Sequence, residues 1–315
     1  MFPLSAMGII AAVLERARTA VKRVQEIATA PCENEPRADV SEKIPTTVSK
    51  APSPLLEIKK LSYSYDVVGA DGKRHNNPVL HEISFALQSG EHLGLFGRVG
   101  SGKSTLFDLI TRLQDPPKGT IFLNGTDVLD LPIAEVRGSI GYCLQSVHLF
   151  SESITENVAF GLKPIPDDQT IHSVARAASI ADEIEAMEKK WDSQIGEKGV
   201  RLSGGQKQRL ALARAFIRQP KMLILDDVFS AVDQATEQRL LNYIYERNIS
   251  MIMVSHRLPA LRRCNRILMI ENGAIADQGT VEELMNKHPK LFEEITAIHA
   301  APAKAEIAAN FWGAK

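Results

Sequence analysis

At 315 residues, with 44% hydrophobic and 24% charged residues, the chain can bury a sizeable core in one or two ordinary domains. Its 37 basic and 38 acidic residues leave a net charge of −1, so nucleic acid is not expected as a partner and any anion must be held by a local device. Cys32, Cys143 and Cys264 are few and far apart, and the eight histidines show no paired spacing, which excludes a disulfide framework and a His/Cys metal site. The three cysteines read as small hydrophobes of a reducing compartment.

In chain order, the first expected element is a helix. "FPLSAMGIIAAVL" is largely apolar over 13 residues, about 20 Å as a helix against a hydrocarbon core of roughly 30 Å, so it cannot span a bilayer alone. Leu14, Ala17, Val21, Val24 and Ile27 then continue at spacings of three and four among Glu, Arg and Lys, an amphipathic helix passing from an apolar environment into water. Residues 1–30 read as the end of a transmembrane helix and its extension, in preference to a signal peptide or a plain amphipathic helix. Five prolines among polar residues make 31–54 an extended linker.

From residue 55 the pattern alternates. Leu61, Tyr63 and Tyr65, and then Ile83, Phe85 and Leu87, predict two half-buried strands with a loop around "GADGKRHNN" between them. "HLGLFG" (92–97), "SIGYCLQ" (139–145), "MLILD" (222–226), "ISMIMVS" (249–255) and "RILMI" (266–270) are short apolar runs separated by helical patterns, as buried parallel strands are.

The first of these runs leads into "GRVGSGKST", which fits G-x-x-x-x-G-K-[ST] from Gly97 through Arg98, Val99, Gly100, Ser101, Gly102, Lys103 and Ser104, with Thr105 following. Leu106, Leu109, Ile110 and Leu113 mark one face of the helix expected next. The glycines let successive N–H groups turn inward around a phosphate, and the helix start adds its partial positive charge. Lys103 would reach the β- and γ-phosphates and Ser104 would place its hydroxyl on Mg²⁺. A nucleoside triphosphate is the expected ligand.

"LSGGQKQRLALARA" (202–215) places Ser203 and a glycine pair at a second helix start, and Leu210, Ala213 and Ile217 share a face of that helix. One ATP does not need two such cradles from one chain. Here the sequence resembles the ATP-binding cassette (ABC) family: Leu202, Ser203, Gly204, Gly205 and Gln206 match its signature and 223–227 its Walker B segment. The resemblance covers about 240 of the 315 residues. It implies an α/β fold, a phosphate-loop (RecA-like) parallel-sheet core over 55–297 with an antiparallel β subdomain and a helical signature subdomain at about 146–220. It also implies that two such domains meet head to tail, each ATP lying between one phosphate loop and the other signature.

The family's remaining positions fall on Tyr65, expected to end its strand (the ring on adenine), Gln145 (Mg²⁺ and the membrane domain), His256 (the γ-phosphate) and Asp233 (the loop crossing the dimer interface). Asp226 would hold Mg²⁺ through water, as strand-end carboxylates do in phosphate-loop enzymes. Gly196-Glu197-Lys198-Gly199 looks like the exporter-type loop before the signature. With the helix at its N-terminus, the chain resembles the C-terminal part of a fused exporter subunit, whose complete form would carry membrane helices before Met1. The nucleotide domain would then lie on the cytoplasmic side of the plasma (inner) membrane. The cargo stays unknown.

Most active members of the family place Glu after the Walker B Asp as general base; this chain has Asp227. One missing methylene withdraws the carboxylate by roughly 1.5 Å, and a misplacement of about 1 Å can cost on the order of a hundredfold in rate. The resemblance is closest to the heterodimeric exporter subunit whose own ATP turns over slowly while its signature completes the partner's site. The alternatives are an Asp227 that hydrolyses adequately, a non-transport ABC ATPase, a regulatory module that holds ATP without turnover, and a soluble importer ATPase. Thr280 with Glu283 predicts a capped helix; the tail from residue 298 carries no functional reading.

Overall fold

The computed structural model describes residues 2–29, 53–68, 74–196 and 202–295. The chain divides into two compact units, residues 1–47 and 48–315.

In the first unit, helix α1 (Phe2–Ala28) is one continuous element. Glu15 with Arg18 and Lys22 with Glu26 pair along its second half at 3.7 and 4.0 Å, and Val13, Leu14, Val21 and Val24 are exposed between them. Among the described residues no helix is long and apolar enough to cross a membrane.

The second unit begins with a long hairpin, β1 (Leu56–Val68) and β2 (Arg74–Leu87), and continues through β3 (His92–Phe96) into α2 (Lys103–Ile110). There follow β4 (Ile121–Leu123), β5 (Thr126–Asp127), α3 (Ile133–Ser139) and β6 (Ile140–Cys143). A helical stretch comes next: α4 (Ile154–Val158), α5 (Asp168–Ala177), α6 (Ala181–Glu185) and α7 (Gly204–Phe216). The chain returns through β7 (Met222–Asp226), α8 (Gln234–Glu246), β8 (Ser250–Val254), α9 (Leu258–Leu261), β9 (Arg266–Glu271), β10 (Ala274–Gly279) and α10 (Val281–Lys287).

Two sheets result. One is antiparallel, in the order β2-β1-β4-β5; the other runs β10-β9-β3-β8-β7-β6 and is parallel except for β10 at its edge. All residues of β3 and β8 are buried, because helices and the small sheet cover both faces, and this is why those strands read as unbroken apolar runs. In the parallel sheet Leu95 and Asp226 both pair with Val254. The carboxyl ends of β3, β7 and β8 therefore lie side by side, the edge where open α/β sheets bind ligands.

Three expectations need correcting. Residues 74–77, expected in a loop, belong to β2, where Arg74 to Asn77 pair with Val68 to Tyr65; of that loop, 69–73 lie outside the described residues. Tyr65 accordingly sits inside β1 and not at its end. Helix α2 stops at Ile110 with Arg112 at φ 52°, so Leu113 lies beyond it and is 48% exposed. Residues 30–52, 197–201 and 296–315 also lie outside the described residues, and with them the linker, most of the Gly196 loop, Cys32 and the tail. Cys143 is buried and Cys264 half-buried, and burial pushes both thiols up to about 12, as expected of apolar packing residues.

Candidate active site

At the shared edge of β3, β7 and β8 lies a cavity of about 300 Å³. Its walls carry Val99, Gly100, Gly102, Lys103, Ser104 and Thr105 from the phosphate loop and α2. Gln145 comes from the segment after β6, Asp226 from the end of β7, Asp227 from the turn that follows it and His256 from beyond β8; Val79 and Val254 add apolar surface.

The loop keeps its shape because two positions tolerate no side chain. A Cβ on Gly97 would lie 2.2 Å from the Ile270 carbonyl oxygen, and one on Gly102, at φ 101°, would lie 2.6 Å from Leu80. Gly102 also caps α2 without a side-chain hydrogen bond and the first turn carries no acid, so the helix start presents its amide donors and partial positive charge to the cavity. Lys103 is buried and folds back on its own loop, donating to Gly97 O and Arg98 O at 2.8 Å each and reaching Ser101 Oγ at 3.3 Å. Burial lowers its pKa and Asp226 raises it. Burial likewise lifts Asp226 while Lys103 pulls it down and Asp108 lifts it further.

Asp227 is 5% exposed and holds φ 49°, with its N–H donating to Val254 O at 3.0 Å and its carbonyl accepting from Ser230 Oγ at 2.9 Å. Its carboxylate and His256 line one cavity. Tyr65 borders the same place from β1: its hydroxyl lies 3.4 Å from Thr105 Oγ1, and its ring meets Tyr63 edge-on at 5.2 Å.

Ser203, Gly204, Gly205, Gln206 and Asp233 do not line this cavity. Ser203 caps α7 in a reciprocal box with Gln206, whose amide also donates to Glu183 at 2.7 Å. Asp233 caps α8 by accepting from Thr236 N at 2.9 Å, and that bonding holds its carboxyl below the usual range. The two regions nevertheless touch. A Cβ on Gly205 would lie 2.5 Å from Ala231 O, and Gln208 of α7 reaches Ser230 Oγ and receives Ala231 N, both at 3.3 Å.

A family profile described as ABC transporter matches residues 80–230, which carry the phosphate loop, the signature and the Asp226–Asp227 pair. The chain belongs to the ABC transporter family. An ATP-dependent lipid A-core flippase of Sodalis glossinidius is 37% identical over 234 residues, 74% of this chain and 40% of the relative. A β-(1→2)glucan export ATP-binding/permease protein of Rhodopseudomonas palustris is 39% identical over 233 residues, 73% of this chain and 37% of the relative. A solved bacterial Atm1-family ABC exporter with ATP bound has a TM-score of 0.75 at 27% identity, with 95% of this chain and 50% of that one covered. The chain thus spans about 40% of the curated ABC relatives it matches here.

The ABC fold and its ATPase family stand on these matches together with the sheet order and the loop. Among the described residues no cluster of three His, Cys, Asp or Glu side chains could hold a metal alone. Ser104, Gln145 and Asp226 on one cavity are instead an oxygen set for a hard cation that also takes phosphate oxygens and water. Residues missed from sequence are Val79, Val254, Gln208, Ser230, Glu237 and Arg257. The second Gln of "GGQKQ" and the Arg in "SHR" were signals available for two of them.

Proposed function

We propose that this chain is the ATP-binding and ATP-hydrolysing part of an ABC exporter subunit, working in a dimer whose transmembrane domains move a substrate. Its own ATP turns over slowly, and its signature serves a partner subunit. The observation that carries this reading is Asp227: the second carboxylate of the cavity is the short one, while Lys103, Gln145 and His256 share the same walls. The relatives support the exporter assignment, since they are a flippase and an export ATP-binding/permease protein. Placement at the inner membrane, with this unit on the cytoplasmic side, follows from the same reading, as does a role for α1 as the helix leading out of the membrane.

In the reaction, water attacks the γ-phosphorus of ATP as the bond to the β–γ bridging oxygen breaks, giving ADP and phosphate. Lys103 exchanges its two loop carbonyls for phosphate oxygens, and the amides of the loop hold the β-phosphate. Asp227 orients the water and takes its proton, and His256 donates to a γ-phosphate oxygen. Tyr65 supplies the face on which adenine stacks. Mg²⁺, held by Ser104, Gln145 and, through water, Asp226, would neutralise charge between the β- and γ-phosphates. Ser203, Gly204, Gly205 and Gln206 would face the partner's γ-phosphate and Asp233 its interface.

The test is single-turnover MgATP hydrolysis by wild type, Asp227→Glu and Asp227→Asn. Glu restores the missing methylene, so the Glu variant should gain about ten- to a hundredfold, the range that a ~1 Å correction gives. A brisk wild type that the Asn change silences would make Asp227 a working base and sink the slow-site reading. Silence of all three would sink hydrolysis by this chain.

A further inference from the structure

The turn between Asp227 and Asp233 is held from a direction that the hydrolytic chemistry does not use. Asp227 enters it at φ 49°, a conformation that a non-glycine residue keeps only where the surroundings enforce it. Arg257, the residue after His256, faces this turn. Its Nη1 donates to Phe229 O at 2.9 Å and to Val232 O at 2.8 Å, and lies 2.7 Å from the Glu237 carboxylate.

Glu237 stands in the first turn of α8 with its side chain 2% exposed, against 31% for Arg257, so the carboxylate end of the pair is internal while the cation reaches the surface. Burial lifts the Glu237 carboxyl and Arg257 draws it back. Losing the cation would strand a buried carboxylate beside two main-chain carbonyls that have lost their donor. The Arg257 N–H also donates to Ser255 Oγ at 3.1 Å, which fixes the backbone on either side of His256. On its opposite side the turn meets Gln208 of α7.

We propose that Arg257 is a positioning residue: it clamps the 228–232 turn and the start of α8 to the His256 segment, so that Asp227, Asp233 and His256 move as one body. The clamp itself is independent of the slow-site reading; only its effect on turnover rests on it. All three contacts converge on a single nitrogen. A lysine ammonium keeps the charge and three donors on one nitrogen but ends one bond short of Nη1, so it serves the junction in part, whereas methionine keeps the apolar stem and offers none.

The experiment compares the full chain with Arg257→Met, Arg257→Lys and Glu237→Gln by peptide-level hydrogen exchange, MgATP affinity and single-turnover hydrolysis. Expected for Arg257→Met is exchange over 228–233 faster by about tenfold or more with the rest of the sheet unchanged. MgATP affinity should stay within about threefold, because Lys103 and its loop are untouched, and turnover should fall at least about tenfold. Arg257→Lys, which keeps the charge and the donors on a shorter stem, should restore both in part. Unchanged exchange over 228–233 in Arg257→Met overturns the clamp. So does faster exchange spread through the whole unit, since Arg257 would then merely support the fold. Should Arg257→Met not fold, Glu237→Gln and Arg257→Lys decide by the same criterion: faster exchange in both that is confined to 228–233 supports the clamp, and exchange unchanged in both, or spread through the unit, overturns it. A wild type without turnover counts against the hydrolytic reading alone, because exchange still judges the clamp.

Discussion

Replacing Phe292 by Ala tests how the phosphate loop is supported from beneath. Phe96 ends β3 directly before Gly97, and Phe292, in a helical segment over 289–295, stacks on it with centroids 4.2 Å apart and planes at 17°. The two rings are 1% and 2% exposed in a small cluster with Leu261, Ile267, Met269, Val281, Leu284, Leu291 and Ile295. Deleting a buried phenyl ring costs about 3–5 kcal/mol in a tight core. This segment lies at the rim and can settle into the space, so the lower end, about 3 kcal/mol, applies. In a unit of this size each kcal/mol moves Tm by roughly 2–4 °C, which puts the expected drop at roughly 6–12 °C in a melt followed by circular dichroism. Glu294→Gln is the control: it removes the 2.7 Å pair with Arg98, but the two side chains are 59% and 48% exposed, and solvent screening should leave Tm where it was. A Glu294→Gln melt as low as that of Phe292→Ala would show that charge and not packing fastens the segment. A Phe292→Ala shift below about 2 °C would refute the packing argument itself.

Gly205→Ala should destabilise the unit by about 1–3 kcal/mol, the usual cost of overpacking, because its Cβ would meet the Ala231 carbonyl oxygen at 2.5 Å. Gly204→Ala, whose nearest neighbour is 3.5 Å away, should be tolerated; equal melts for the two variants would refute the contact. Asp277 tests the pH dependence. Hydrogen bonds from His288 and then Lys287 hold its carboxyl at about 2, against an ordinary 3.8. A depressed folded value means stabilisation that is fully present above about 4 and lost as pH falls through about 2. The stability gap between wild type and Asp277→Asn should therefore be present at about pH 5 and close on further acidification toward about 2; a gap that widens below about pH 4 would contradict it.

The buried strands were legible because both of their faces are covered, which turns β3, β7, β8 and β9 into apolar runs that no exposed element would carry. The phosphate loop was legible because its glycines answer to steric limits that a sequence states directly. Short and exposed elements were not. Strand β10 reads "AIADQG", with no buried residue, and β4 and β5 are three and two residues long, too short for any period to show. The start of β2 was lost for a related reason: "RHNN" is polar and exposed, and only its register with β1 makes it strand. Arg257 and Gln208 escaped because their roles depend on main-chain carbonyls and amides 23 to 28 positions away, a geometry with no local pattern.

The posture of Lys103 bears on how nucleotide binding will register as heat. Its ammonium already has two carbonyl acceptors at 2.8 Å and a hydroxyl at 3.3 Å within its own loop. A triphosphate entering the cavity therefore trades one set of hydrogen bonds for another, and the enthalpy released at Lys103 will be smaller than the number of its phosphate contacts suggests. What the loop gains in return is readiness: the cation waits inside the cradle, and little chain entropy remains to be lost when the ligand arrives.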